Sequence, residues 1–340
     1  METLNLNIYG NKYPLRISVQ WLIMNSISAM EEEIRSQVNY LSKLDLPGQI
    51  GLDDCLFIGA GDSYAAALIA VYASNHKIVC CNPIDIVVNP EIIKKNYYSR
   101  IYVVSASGKT QSNILAAKIS RRYKVHTTAI TSAPNSMLAR ICDNVIELKY
   151  KNAEIPTPGT ASFMCSMLCC LSLARKVDDI KRLGSIYTQS CKESSNFINT
   201  IPQRVSSYVF LGNGILFPIS VYGTLKINEV FGLKSFAYQF EEFCHSPLFS
   251  TRMNDKIIIF RNDNKYDLLR SKEFCDRLTK LGFSTPFVVD CSKLSLTDSL
   301  LKSAFFVQLF VLKQALKKGL KASFFLRNKS LLKLSSDLIY

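Results

Sequence analysis

Ile101-Tyr-Val-Val-Ser-Ala-Ser-Gly-Lys-Thr110, running on into Gln111-Ser-Asn-Ile-Leu-Ala-Ala-Lys-Ile-Ser-Arg-Arg122, is the stretch from which the fold is read. The first four residues are apolar and mostly β-branched, as in a buried strand. Residues 111–122 place apolar side chains at helical spacing. Between them stands a hydroxyl-rich turn with one glycine. A strand that ends in such a turn and restarts as a helix aims backbone N–H groups, hydroxyls and the positive end of the helix dipole at one point, which suits a phosphate. Gly108-Lys-Thr110 resembles the end of a nucleotide-binding P-loop, but that loop needs a glycine where Val103 stands. Hydroxyls also cap helices with the same geometry, so at any single residue the sequence leaves capping and phosphate binding open.

The same pattern recurs outward from this point. Leu56-Phe-Ile58 reads as a strand, Gly59-Ala-Gly-Asp-Ser63 as a turn and Tyr64–Ala73 as a helix. The third glycine of a dinucleotide fingerprint is missing there, since Tyr64 takes its place. Ile84–Val88, Thr127–Ile130 and Asn144–Leu148 read as further strands, with a helix over Ser136–Ile141. A second round has strands at Tyr208–Leu211, Ala237–Phe240, Lys256–Phe260 and Thr285–Val289, and Gly212-Asn-Gly214 repeats the Gly-x-Gly turn. Helices are expected over 218–231, 268–281 and 298–319, and over 161–177 and 181–200 between the halves. Strands alternating with helices predict an α/β protein with parallel sheets, built from a duplicated unit. The expected division is an N-terminal extension and helix over 1–44, one domain over 45–180, a second over 195–325 and a tail over 326–340.

With 340 residues, 48% of them hydrophobic, the chain has enough apolar surface for two domains. No uninterrupted apolar run reaches the roughly 18 residues of a membrane span, and the first residues lack a signal-peptide pattern. A cytoplasmic protein without membrane partners is expected. Eleven cysteines occur without a C-x-x-C, mostly inside apolar segments, and the three histidines form no ligand pair with them. Free thiols, no metal and no cofactor are therefore expected. The net charge of +14 fits an anionic partner, and without a nucleic-acid-binding signature a small anion is favoured over nucleic acid.

Gly59-Ala-Gly-Asp-Ser-Tyr64, Val104-Ser-Ala-Ser-Gly-Lys-Thr110 and Gly159-Thr-Ala-Ser162 together resemble the phosphosugar-binding segments of the SIS (sugar isomerase) family. Leu211 to Glu229 resembles the second SIS domain of glucosamine-6-phosphate synthases, Glu241-Glu-Phe-Cys-His-Ser-Pro247 their Glu-x-x-His-Gly-Pro segment, and Met30–Gln37 their lead-in helix. The resemblance implies two tandem SIS domains, each a doubly wound, flavodoxin-like parallel sheet of five strands, in a homodimer with its active site at the interface. It places a sugar 6-phosphate on Ser63, Ser105, Ser107, Thr110 and Ser162. Glu229 would move a proton between carbons 1 and 2, His245, often supplied by the neighbouring subunit, would open the ring, and Lys226 stands one helical turn before the base. Lys333 matches the lysine that forms a Schiff base or assists the open-chain sugar, with Lys329 as the alternative alignment. The synthase's glutaminase domain has no counterpart in these residues. The reaction implied is aldose–ketose isomerisation, with amination or deamination at carbon 2 as an extension and a non-catalytic phosphosugar sensor as the alternative.

The chemistry agrees with these residue types. Aldose–ketose exchange needs a carboxylate near neutral pKa, an acid–base group such as histidine and positive charge at the developing enediolate. Several positions depart from the family. Asp62 replaces a hydroxyl residue, and beside a phosphate its carboxylate must turn away or pair, with Lys109 as a candidate partner. Ala106 replaces a glutamine. Phe163 and Met164 replace polar residues, Tyr222 a glutamate and Ser246 a glycine.

Overall fold

A computed structural model of the protein describes residues 26–93, 97–151, 153 and 155–340. The expected extension over 1–20, and the start of the lead-in helix at 21–25, lie outside the described residues. Helix α1 (Ser26–Tyr40) is followed by β1 (Cys55–Ile58), α2 (Asp62–Ala73), β2 (Val79–Cys81), α3 (Pro83–Val88), β3 (Arg100–Val104), α4 (Gln111–Arg122), β4 (His126–Thr131), α5 (Met137–Ile141) and β5 (Asn144–Glu147). The strands form one parallel sheet in the order β2-β1-β3-β4-β5. β1 is buried along its whole length and β3 over all but Arg100, as befits strands covered on both faces. The strand order reverses between β1 and β3, so the loops after these two strands flank a crevice at their carboxyl ends.

Ile84–Val88 is a helix, not the expected strand. The Asn82 side chain accepts from the Ile84 N–H at 3.2 Å, and the Asp85 carboxylate accepts from the Asn82 N–H at 3.0 Å. This capping box, with Pro83 in the first turn, starts a helix that the β-branched run alone would not predict.

Helices α6 (Ala161–Ala174) and α7 (Leu183–Thr200) lead to the second sheet. There β6 (Tyr208–Gly212), α8 (Phe217–Phe231), β7 (Ser235–Tyr238), α9 (Phe240–Cys244), β8 (Lys256–Arg261), α10 (Lys265–Lys280) and β9 (Phe287–Asp290) follow in turn. This sheet is also parallel, in the order β7-β6-β8-β9. It has four strands among the described residues rather than the expected five. After β9 the chain enters α11 (Leu296–Lys317), whose residues are buried on all sides. This helix is long and apolar enough to cross a membrane by length and composition, although charged residues interrupt its apolar runs. Eighty-nine per cent of its apolar window is buried inside the protein, where it packs on α7, α8 and α1. One hydrophobic core runs through both halves, from Ile34 and Leu168 to Phe210 and Phe306. The segment read as a tail folds into α12 (Phe324–Arg327) and α13 (Lys329–Ile339).

Candidate active site

The crevice between β1 and β3 is lined by the turns that carry the predicted hydroxyls. Ser63 lies in the first turn of α2, Thr110 stands just before α4, and Ser162 is in the first turn of α6. Among the described residues no side chain caps α2 or α4, whose starts therefore suit an anion, whereas the Ala161 N–H at the start of α6 is taken by the Glu33 carboxylate. Ser105 is buried and donates its N–H to the Ile130 carbonyl at 3.0 Å. The Ala106 carbonyl accepts from the Thr131 hydroxyl at 3.0 Å, the Ser132 hydroxyl at 2.9 Å and the Ser132 N–H at 3.0 Å. At Gly108 φ is +62°, and a Cβ there would lie 2.1 Å from the Ser136 hydroxyl. The loop is therefore anchored to β4 and to the start of α5, and position 108 admits glycine.

Asp62, at the start of α2, pairs with Lys226 of α8, in the other half of the molecule. The Lys226 ammonium lies 2.7 Å from Asp62 Oδ2 and 2.6 Å from Glu229 Oε2. Lys226 has no solvent exposure, whereas the two carboxylate side chains are 22% and 33% exposed. The pair expected on one face of a helix is thus a buried clasp and not a solvated ion pair. Burial draws the Lys226 pKa down, but the two carboxylates more than offset this and leave it raised. Burial lifts the Asp62 pKa against the opposing pull of Lys226. Burial also lifts Glu229 to about 7, with Lys226 opposing and Asp62 adding to the rise. A carboxyl that titrates there can both take and return a proton at neutral pH.

Behind the clasp, Tyr222 is fully buried, donates its hydroxyl to the Gly159 carbonyl at 2.9 Å and stacks on Phe163 with ring centroids 3.7 Å apart. Glu33 of α1 holds the same loop from the other side. It accepts from the Thr157 hydroxyl at 2.8 Å, the Ala161 N–H at 2.7 Å and the Thr160 hydroxyl. A carboxylate at the start of α6 also complements that helix's dipole. Glu33→Ala is expected to cost about 3 kcal/mol, since it strips charge-assisted bonds from buried donors; urea denaturation measures this.

Two predicted residues are not gathered here. The His245 side chain is 70% exposed, with Glu241 4.0 Å away, and among the described residues no hydrogen bond or ion pair joins it to Glu229. Lys333 is likewise 70% exposed and pairs with Asp337 on its own helix. The residue that α13 does bring near is Tyr340, half-exposed, whose hydroxyl lies close enough to Ser107 and Glu229 for both to act on its proton affinity. Sequence reading missed Tyr340 and Glu33; the Glu33 clamp has a faint signal in the lead-in helix, Tyr340 none. The equivalent turn of the second half is occupied by its own side chains. Asn213 donates to Asp267 at 2.7 Å and accepts from the Phe240 N–H at 2.9 Å.

No family model matches the chain. It is 25% identical over 312 residues to a glutamine–fructose-6-phosphate aminotransferase of Buchnera aphidicola, covering 82% of this chain and 50% of that protein. The chain thus spans about half the length of this curated relative. Among solved structures, the C-terminal domain of the corresponding Francisella tularensis aminotransferase superposes with a TM-score of 0.67 at 18% identity, covering 87% of this chain and 97% of that one. A glucosamine-6-phosphate deaminase from Thermotoga maritima gives 0.71 at 21% identity, with 87% and 96% covered. The fold is the α/β fold of SIS-type phosphosugar proteins. Within that class, the chain is similar to the glutamine–fructose-6-phosphate aminotransferases and to the C-terminal domain of one of them.

Proposed function

We propose that this protein is a phosphosugar isomerase that interconverts an aldose and a ketose 6-phosphate. The carrying observation is Glu229, held by Lys226 beside the anion-ready turns of the first half, with a pKa of about 7. In this reading the phosphate sits on the hydroxyls and helix starts of Ser63, Ser105, Ser107, Thr110 and Ser162. Glu229 takes the proton from one of carbons 1 and 2 and returns it to the other, and Lys226 offsets the charge of the enediolate. We read the halves as two SIS domains, over 45–180 and 195–325, and the active species as a homodimer in which a second copy brings its His245 to this crevice to open the ring. The exposure of His245 in the single chain supports that arrangement. Amination or deamination at carbon 2 would further need Lys333 to leave Asp337 and turn inward; borohydride trapping of a sugar adduct, lost in Lys333→Ala, identifies that route.

The test is hydrogen exchange. Fructose, glucose and glucosamine 6-phosphates are incubated with the protein in heavy water and followed by NMR. Deuterium appearing at carbon 2 together with interconversion supports the isomerase. Saturable binding of the same sugars without exchange assigns the crevice to a sensor instead.

A further inference from the structure

The clasp joins two positions at which this chain departs from the family it resembles. One is Tyr222, where the family carries a glutamate. Position 222 lies one helical turn before Lys226, so a carboxylate there would face the lysine along α8. The other is Asp62, where the family carries a hydroxyl. In this chain the Tyr222 ring has turned to stack on Phe163, itself a replacement of a polar residue, and its hydroxyl serves the Gly159 carbonyl. The carboxylate that meets Lys226 comes instead from α2, 2.7 Å away.

We propose that Asp62 is a positioning residue that meets Lys226 in place of a carboxylate at position 222, so that Lys226 is shared and leaves Glu229 only partly neutralised. Three observations carry this. First, Asp62 Oδ2 bonds to Lys226, while its other oxygen, Oδ1, is buried with no hydrogen-bond partner among the described residues. An orphaned buried acceptor is costly, so local stability does not explain an aspartate there. Second, the chain makes room for this carboxylate. A Cβ on Gly159 would lie 2.3 Å from Asp62 Oδ2, so the position opposite Asp62 admits glycine. Third, the arithmetic of charge favours sharing. One ammonium between two carboxylates leaves a net negative charge when all three are ionised, and a proton held by the pair relieves it. The ionisable groups that face Glu229 are Lys226 and Tyr222 on its own helix, Asp62 from α2 and Tyr340 beyond α13. Of these, Asp62 is the one whose negative charge competes for Lys226.

The inference rests on Glu229 being the proton carrier, yet its test does not need turnover. The protein is labelled with 13C in its glutamate and aspartate carboxyls, and the Glu229 signal, identified by its loss in Glu229→Gln, is titrated by NMR. In Asp62→Asn the Glu229 midpoint is expected to fall by about one pH unit or more, because the lysine then serves one carboxylate alone. Asp62→Glu is expected to restore the original midpoint, and so is the double variant Asp62→Thr with Tyr222→Glu, which returns the charge to α8. Tyr222→Phe, which removes the Gly159 bond but no negative charge, leaves it in place. An unchanged midpoint in Asp62→Asn, or an equal fall in Tyr222→Phe, overturns the proposal. Should Asp62→Asn not fold, the double variant decides alone: a midpoint kept supports the relocation, a midpoint lowered rejects it. A wild-type protein that exchanges no hydrogen on any sugar phosphate, yet shows these shifts, loses the isomerase reading and keeps the clasp.

Discussion

Glu229→Gln is expected to lower turnover of a sugar 6-phosphate by about 10²- to 10⁴-fold, the range that a positioned proton carrier contributes. Binding should be nearly unchanged, because the amide keeps the volume of the acid and still accepts from Lys226 through its carbonyl oxygen. Solvent hydrogen exchange at carbon 2 should fall with turnover. The same variant has a signature independent of substrate. Burial holds the wild-type Glu229 pKa at about 7, above its ordinary 4.5. Between those values the folded state keeps a proton that the unfolded chain has lost, so wild-type stability declines as pH rises through that window. Glu229→Gln lacks this contribution. Its melting temperature, measured across the window, should therefore depend less on pH, and equal slopes in both proteins would contradict the assignment.

Lys226→Met is expected to cost about 3–5 kcal/mol at alkaline pH, as loss of the cation from a buried pair does. Two carboxylates, 2.7 and 2.6 Å from the lost ammonium, would then face each other without it. The methionine refills the space, so the deficit is chiefly electrostatic and responds to acid. Without the lysine both folded-state pKa values rise further above their unfolded values, so stability returns as pH falls and the carboxyls bind protons. Urea denaturation at a series of pH values measures this. A loss that stays constant across pH would assign Lys226 to packing instead. The same variant should abolish turnover, because Glu229 loses the cation that offsets its charge and that of the enediolate.

Much of this architecture was legible because its signals are local. Ile101–Val104 followed by Ser105–Thr110 and a helical pattern identifies a strand, turn and helix wherever it occurs, and the repetition of that unit predicts parallel sheets. Ile84–Val88 has the β-branched composition of a strand, but Asn82, Pro83 and Asp85 supply the cap and first turn that make it a helix. The fifth strand of the second sheet was implied by the family resemblance alone; the four runs of strand character in that half are its four strands among the described residues. Glu33 and Tyr340 were not legible as site residues. Each reaches its partners from far along the chain, Glu33 across to Thr157, Thr160 and Ala161, and Tyr340 back to Ser107.

The sequence by itself determined the α/β class, the anion-ready turns and the likeness to phosphosugar isomerases, because each depends on residues close together in the chain. It also placed Lys226 and Glu229 one turn apart on a helix. Only the tertiary structure decided that this pair is buried, that Asp62 crosses from the other half to share the lysine, and that His245 and Lys333 stand outside the crevice of the single chain. The reason is physical. Spacing along a helix fixes which side chains are neighbours, whereas the proton affinity of a carboxyl depends on the charges and the covering that distant segments bring to it.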